Sequence, residues 1–336
     1  MKKINLIIAI VALVAIIVGW LLGSDERQSE FSAQPVFSDL QRQIEAVDAF
    51  KLESASGIIL AAKKQDGNWL AENSGDYPLQ KDQVVRLLNN VVQAELNSAK
   101  TAKPENFARL GLQDIAQNDS EAKLLTLFAA EQQWSLLVGN TASSGNGIYV
   151  RKPGENQTWL SNTPLSLPTE PNAWLETKIL DINLADISEI SRTDHWRIVR
   201  EAVDSEGGTS GEAKWQLAEL EEGRALQYDS ILENTAENII SLSFDALAHP
   251  RPYEIQEDNL QSQVTIKTNS SDIITMKLYR VDEKDLLVLD SETLDSRWQQ
   301  WVYELSAFNA GRLSQNIEDF LQPLPEASVD TEPEGD

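Results

Sequence analysis

His195 and His249 are the only imidazoles in the chain, and they stand 54 residues apart with neither a His-x-His nor a His-Glu-x-x-His spacing. A histidine-based metal site or triad needs ligands that converge, and this spacing gives no local route to one, so both read as surface or strand-packing residues. The chain has no cysteine, which excludes a thiolate nucleophile, a thiolate metal site, a disulfide and a lipidated N-terminal Cys. Ser143, Ser144, Gly145 and Gly147 have the small-residue character of a phosphate cradle. They lack the Gly-Lys-Ser/Thr ending that supplies the lysine and the Mg²⁺ ligand, so a hairpin loop is the reading. No Gly-x-Ser-x-Gly elbow occurs. Glu176, Asp181, Asp186 and Glu189 lie close in sequence, and a glycosidase needs only two carboxylates roughly 5 to 10 Å apart. With 53 acidic residues in the chain, however, such groupings arise without function. The runs Glu219-Leu220-Glu221-Glu222 and Asp282-Glu283-Lys284-Asp285 lack the alternating ligands and central glycine of a calcium loop and read as solvated turns. No catalytic residue, metal ligand or cofactor is assigned, and the expected class is non-enzymatic.

Nine tryptophans remain as groups that could bind. Trp69, Trp159 and Trp215 each sit in or beside an expected strand with aliphatic neighbours, where burial of a large ring stabilises by about 1.5 to 3 kcal/mol. They read as core. Trp298 and Trp301, spaced i, i+3 in RWQQWVYEL, are the candidate partner-contact aromatics, since aromatic faces dock protein chains or stack on sugars.

The elements that would carry these residues are α+β. GIILAAKK and NWLAEN flank Gln65-Asp66-Gly67, a hairpin signature because Gly accepts positive φ. In the following helix Val84, Leu87, Leu88, Val91 and Val92 keep i, i+3, i+4, i+7, i+8 spacing. Pro104 opens a short helix that Gly111 ends, and AKLLTLFAA, WSLLVGN and GIYVRK form a meander. The order then recurs: ISEISRTDHWRIVREAV, a Gly-rich connection, KWQLAEL, a helix placing Ile231, Leu232, Thr235, Ile239 and Leu242 on one side, and the strands VTIKT, ITMKLYR and LLVLD. Trp69 and Trp215 are 146 residues apart, and Trp159 and Trp298 are 139 apart, a drift that unequal loops would produce. The expectation is a diverged duplication of a hairpin, amphipathic helix and meander unit, with copies over residues 36–182 and 183–321.

Ahead of this body, Met1, Lys2 and Lys3 precede an uncharged run of 19 residues, Ile4 to Leu22. At helical rise this run is ~28 Å long against the ~30 Å of a bilayer core, so residues 1–23 read as a transmembrane anchor. Its lysines orient the N-terminus to the cytoplasm. Cleavage after the small Gly23 is the alternative, with Leu21 a poor partner for it. Residues 24–35 read as a spacer and 322–336 as an acidic disordered tail. In a bacterium with two membranes the body would be periplasmic, on a single-pass inner-membrane anchor. The formal charge of −25 argues against a nucleic-acid partner.

From about Val36 to Leu321 the chain resembles the bacterial domain-of-unknown-function 4340 family. The resemblance rests on PVFSDLQRQIEAVDAFKLES, the DGNW hairpin, DYPLQKDQVVRLLNNV, AKTAKPENFARLGL, LLVGN with GIYVRKPGENQTWLS, and NAWLETKILDI. It implies an anchored, mostly extracytoplasmic α+β protein, often encoded beside ABC-type transport components of the gliding-motility kind, and no established catalytic residues. The expected function is an accessory or subunit of an ABC-type export system, with a permease or related membrane component as partner. A periplasmic glycan- or peptide-binding module is the alternative.

Overall fold

The computed structural model describes residues 32–143, 145, 147–201, 213–250, 255–293 and 296–323. The expected span at 4–22, most of the spacer, the Gly-rich connection through residue 212 and the tail from 324 lie outside the described residues. Among the described residues no helix is long and apolar enough to cross a membrane.

In chain order the strands are β1 (Gln34–Pro35), β2 (Ala49–Ser54), β3 (Gly57–Gln65), β4 (Asn68–Ala71) and β5 (Tyr77–Pro78), followed by helix α1 (Lys81–Gln93). Next come β6 (Glu95–Ala99), β7 (Lys123–Ala129), β8 (Gln132–Thr141), β9 (Ile148–Arg151) and β10 (Thr158–Ser161). Beyond them lie β11 (Ile187–Arg192), β12 (Trp196–Glu201), β13 (Lys214–Leu217), helix α2 (Ile231–Ile240) and β14 (Ala246–Pro250). The chain ends with β15 (Leu260–Thr268), β16 (Ile273–Val281), β17 (Lys284–Ser291), β18 (Trp301–Leu305) and helix α3 (Ala307–Leu313). The fold is α+β, mostly antiparallel strands with few helices.

Local chemistry accounts for the elements. Asp66 and Gly67 turn β3 into β4 at φ 51° and 83°, the two positive values that match strand twist in a two-residue turn. Helix α1 buries Val84, Leu87 and Val91, while Val85 stays exposed. Helix α2 buries Ile231, Leu232, Thr235, Ala236, Ile239 and Ile240; the Thr235 hydroxyl donates to the Ile231 carbonyl at 2.8 Å, so this polar residue is satisfied inside an apolar stripe. Phe107–Leu110 follows a Pro104 turn and ends at Gly111, φ 64°.

The chain forms two compact units, one from residues up to Lys63 with Val84–Leu167, the other from Lys64–Gln83 with Pro168 onward. One sheet runs in the order β1-β6-β10-β9-β8-β7-β2-β3-β4-β5, the other β13-β12-β11-β15-β16-β17-β18-β14. From β6 to β4 the first order matches the second read backwards, β14-β18-β17-β16-β15-β11-β12-β13.

Three details of backbone pairing also occur twice. The Val36 amide donates to Ala94 at 2.8 Å beside the pair Pro35 and Glu95, and Ile179 donates to Leu242 at 2.9 Å beside the pair Lys178 and Ser243. Ahead of α1, Gln80 donates to the Trp174 carbonyl at 2.8 Å and Glu176 to Pro78 at 2.9 Å, around the pair Leu79 and Leu175. Ahead of α2, Gln227 donates to Phe320 at 2.9 Å and Gln322 to Ala225 at 2.8 Å, around Leu226 and Leu321. Trp174 and Phe320 each end a short 3-10 turn and are almost wholly buried.

Trp69 and Trp215 are buried in β4 and β13. The expected match of Trp159 to Trp298 fails, because Trp159 lies in β10 whereas Trp298 lies in the helical turn Ser296–Gln299. In register, Trp159 sits opposite Ala99, Tyr303 opposite Leu247 and Trp301 opposite Pro250.

Candidate functional site

Trp298 and Trp301 come together around Tyr77. The i, i+3 spacing does not lie on one helix: the helical turn ends at Gln299 and Trp301 opens β18. Both rings are partly buried and meet Tyr77 edge-on, with centroids at 5.8 and 6.2 Å. Phe244 and Tyr303 complete the cluster at 5.6 and 6.5 Å from the same ring. Edge-to-face geometry sets the positive rim of one ring against the negative face of another. Gly75, at φ 62°, is needed here twice over: it holds a left-handed conformation, and a Cβ on it would stand 2.7 Å from the Trp301 ring.

Inside the cluster the Tyr77 hydroxyl has no hydrogen-bond partner among the described residues. Tyr303 is close enough to act on it electrostatically, but its own proton is committed to the Trp298 carbonyl at 2.8 Å. Burial first, then Tyr303 and the Glu176 carboxylate, pushes the Tyr77 phenol well above its ordinary range. Burial likewise raises Tyr303. Both therefore stay neutral at any physiological pH.

The buried cations hold loops. Arg151, on β9, donates through Nε and Nη2 to the Leu112 carbonyl at 3.1 and 2.8 Å, through Nη2 to Asp114 at 2.7 Å and through Nη1 to the Glu155 carbonyl at 3.0 Å. Its guanidinium also lies 4.5 Å from the Phe107 ring centroid. With Gly139, where a Cβ would be 2.2 Å from the Leu110 carbonyl, it clamps the Pro104–Leu112 segment onto the sheet. Arg192, on β11, donates to Ser262 at 3.0 Å, to the Gln315 carbonyl at 3.0 Å and to Asn316 at 2.8 Å. The Trp196 indole joins it on Gln315 at 2.8 Å, and burial lowers the Arg192 pKa from its usual value. Sequence reasoning singled out neither arginine; an isolated cation inside a strand pattern was the available signal.

The other residues considered for chemistry are dispersed. His195 is exposed in the turn between β11 and β12, and His249 belongs to β14, its side chain outside the described residues. The loop before β9 closes on itself, Ala142 donating to Gly147 and Gly145 to Ala142, which takes up amides a phosphate would need. Glu176 accepts from the Lys178 amide, Asp186 from the Asn183 side chain, and Glu189 pairs with Arg197 at 3.6 Å; Asp181 is exposed. Glu219, Glu221 and Glu222 are exposed, and Asp282 and Glu283 form a turn with positive φ. Asp285 departs from the solvated reading, being 8% exposed and accepting from Arg280 at 2.8 Å. No group of three or more His, Asp or Glu that could hold a metal ion occurs among the described residues. A cleft of about 480 Å³ is lined by polar residues including Gln80, Lys81, Glu176 and Lys178.

The family model described as Domain of unknown function (DUF4340) matches residues 69–263, more than half of the 336 in the chain, from Trp69 in β4 to Gln263 in β15. Neither a curated protein nor a solved structure matches.

Proposed function

We propose, from the premise that the chain belongs to the DUF4340 family, that it is a non-enzymatic, membrane-anchored periplasmic protein. In this reading it serves an ABC-type export system as an accessory or subunit and works through protein-protein contacts. The observation that carries the reading is how the buried polar side chains are used: Arg151, Arg192, Ser262 and Tyr303 donate into the fold itself, to carbonyls and side chains of neighbouring segments. Groups spent on fixing loops serve a scaffold rather than a reaction. The uncharged run Ile4 to Leu22 supports the anchor, residues 1–23 spanning the inner membrane with the N-terminus inside.

The body of such a scaffold would be a diverged duplication. The matching strand orders and the recurrent backbone pairs support copies over residues 34–176 and 177–322, which moves the expected join from residue 182 to residue 176. The glycan- or peptide-binding alternative has less support, because Trp298 and Trp301 are engaged with Tyr77.

The test is a pull-down of the tagged full chain from detergent-solubilised membranes, with the anchor fused to an unrelated body as control. A permease or ATPase recovered above the control is the expected result; repeated recovery of no transport component would count decisively against the assignment. Glycan binding lost on Trp298→Ala and Trp301→Ala at unchanged thermal stability would transfer the assignment to the alternative.

A further inference from the structure

We infer, resting on the protein-protein reading above, that the outer edge of β13 is a docking site for an extended, basic strand of a partner protein, which adds to the sheet by backbone pairing. β13 ends its sheet and has β12 as its one neighbour there. Ala218, the residue after β13, donates its amide to the Arg197 carbonyl at 2.9 Å, and in the same register Gln216 stands opposite Val199. Antiparallel pairing alternates along a strand, so Gln216 turns its backbone groups toward β12 while Trp215 and Leu217 turn theirs outward.

β4 shows what such an edge accepts. The Trp69 carbonyl takes the Leu79 amide and the Ala71 carbonyl takes the Asp76 amide, both at 2.9 Å, with β5 laid along the strand so that Leu70 is opposite Pro78 and Ala71 opposite Tyr77. Past β13 the chain goes elsewhere: the Arg224 amide donates to the Glu221 carbonyl at 3.1 Å, and Leu226 pairs with Leu321. The outward N–H and C=O groups of Trp215 and Leu217 have no hydrogen-bond partner among the described residues. An unpaired edge is a template for another strand, and its hydrogen bonds require no particular side chain.

Side chains select the strand. Trp215 and Leu217 are buried on the face of β13 that meets α2, whereas Lys214, Gln216 and Ala218 are exposed on the other. An added strand would set apolar residues in line with the first face and polar ones in line with the second. Charge decides which polar ones. Every cation beside the edge already has a carboxylate: Arg197 lies 3.6 Å from Glu189 and 3.8 Å from Glu219, Arg224 lies 2.6 Å from Glu318, and Lys214 stands opposite Glu201 in register. Glu222 and Glu221, the latter close enough to act on Arg224 electrostatically, add two further negative charges just past the strand. By sequence the compact unit that holds β13 has 15 basic and 39 acidic residues. Such a field draws a lysine- or arginine-bearing strand and repels the same acidic edge of a second copy.

The probes are two capped, dye-labelled decapeptides, one alternating valine with lysine and the other valine with glutamate, titrated by fluorescence anisotropy against the full chain in detergent. The expected result is saturable binding of the lysine peptide, roughly tenfold or more tighter than that of the glutamate peptide, and loss of the binding when every amide of the lysine peptide is N-methylated. Residue-resolved hydrogen exchange should show the Trp215 and Leu217 amides slowed roughly tenfold or more by the lysine peptide, with the Gln216 amide, already turned to β12, unchanged. Glu221→Lys with Glu222→Lys, at two exposed positions, should weaken binding roughly tenfold at unchanged thermal stability. Equal binding of the N-methylated peptide would reduce the effect to charge alone and overturn the inference, as would the absence of slowing at Trp215 and Leu217. Slow exchange at these two amides before peptide is added would show the edge already filled, by a second copy if it varies with chain concentration, and would overturn it as well. A transport component recovered in the pull-down without peptide binding would leave the protein-protein reading standing and remove this edge from it.

Discussion

The segments ahead of α1 and ahead of α2 make the same backbone bonds and live in different surroundings. Gln80 reaches the Trp174 carbonyl and Gln227 reaches Phe320, each closing on a buried aromatic. Tyr77, just after Gly75, lies inside an aromatic cluster, whereas the residues around Gly223 are exposed. Backbone hydrogen bonds and one large apolar side chain are thus enough to close the unit. The side chains around them differ between the two segments, and on the proposed duplication that difference is where distinct contacts would arise.

The largest effect should come from the closing aromatics. Trp174→Ala and Phe320→Ala should each cost about 3–5 kcal/mol in chemical denaturation, as buried aromatic truncations do. A cost below about 1 kcal/mol at either position would break the equivalence. Arg151→Met and Arg192→Met come next, at about 1–3 kcal/mol each, because they strand buried carbonyls, Leu112 in one case and Gln315 in the other. The two glycines sharpen the comparison. Gly75→Ala and Gly223→Ala both incur about 1–2 kcal/mol for a left-handed Cβ, and Gly75→Ala alone adds roughly 1–3 kcal/mol for displacing Trp301. Equal losses would show that Trp301 does not cover Gly75.

Two smaller effects depend on pH. Tyr77→Phe should change stability by less than about 1 kcal/mol at neutral pH, since the hydroxyl it removes has no hydrogen-bond partner among the described residues. The folded-state pKa of Tyr77 is raised above 10.0, so its contribution is whole below pH 10 and is lost as pH rises beyond that. The Tyr77→Phe chain should therefore lose less stability than wild type in alkaline titration. The Arg224 hydrogen bond holds Glu318 below 4.5 in the folded state, so this stabilisation is present above pH 4.5 and disappears as pH falls below it. Glu318→Gln should slightly flatten the acid limb of the stability curve, the smallest effect because the pair is at the surface.

Much of the secondary structure was legible because its causes are local. Asp66-Gly67, the stripe from Val84 to Val91, and the Pro104 and Gly111 boundaries act within a few residues. The surroundings of Trp298 and Trp301 were not legible in their i, i+3 spacing, because the helical turn ends at Gln299. The chain instead enters β18, where Trp301-Val302-Tyr303 favours a strand and pairing with β17 and β14 decides. The join proposed near residue 176 was not legible, since the bonds that suggest it are backbone bonds across distant segments, and these leave no residue signature. The roles of Arg151 and Asp285 depend on tertiary neighbours in the same way, whereas Tyr77 gave a hint only as an aromatic beside a proline.

The central claim is that the two closing pairs are one backbone plan used twice. Residue-resolved hydrogen exchange on the full chain in detergent tests it most directly. Comparable strong protection is expected at the amides of Gln80 and Glu176 and at those of Gln227 and Gln322. Protection of the first pair with free exchange of the second would contradict it.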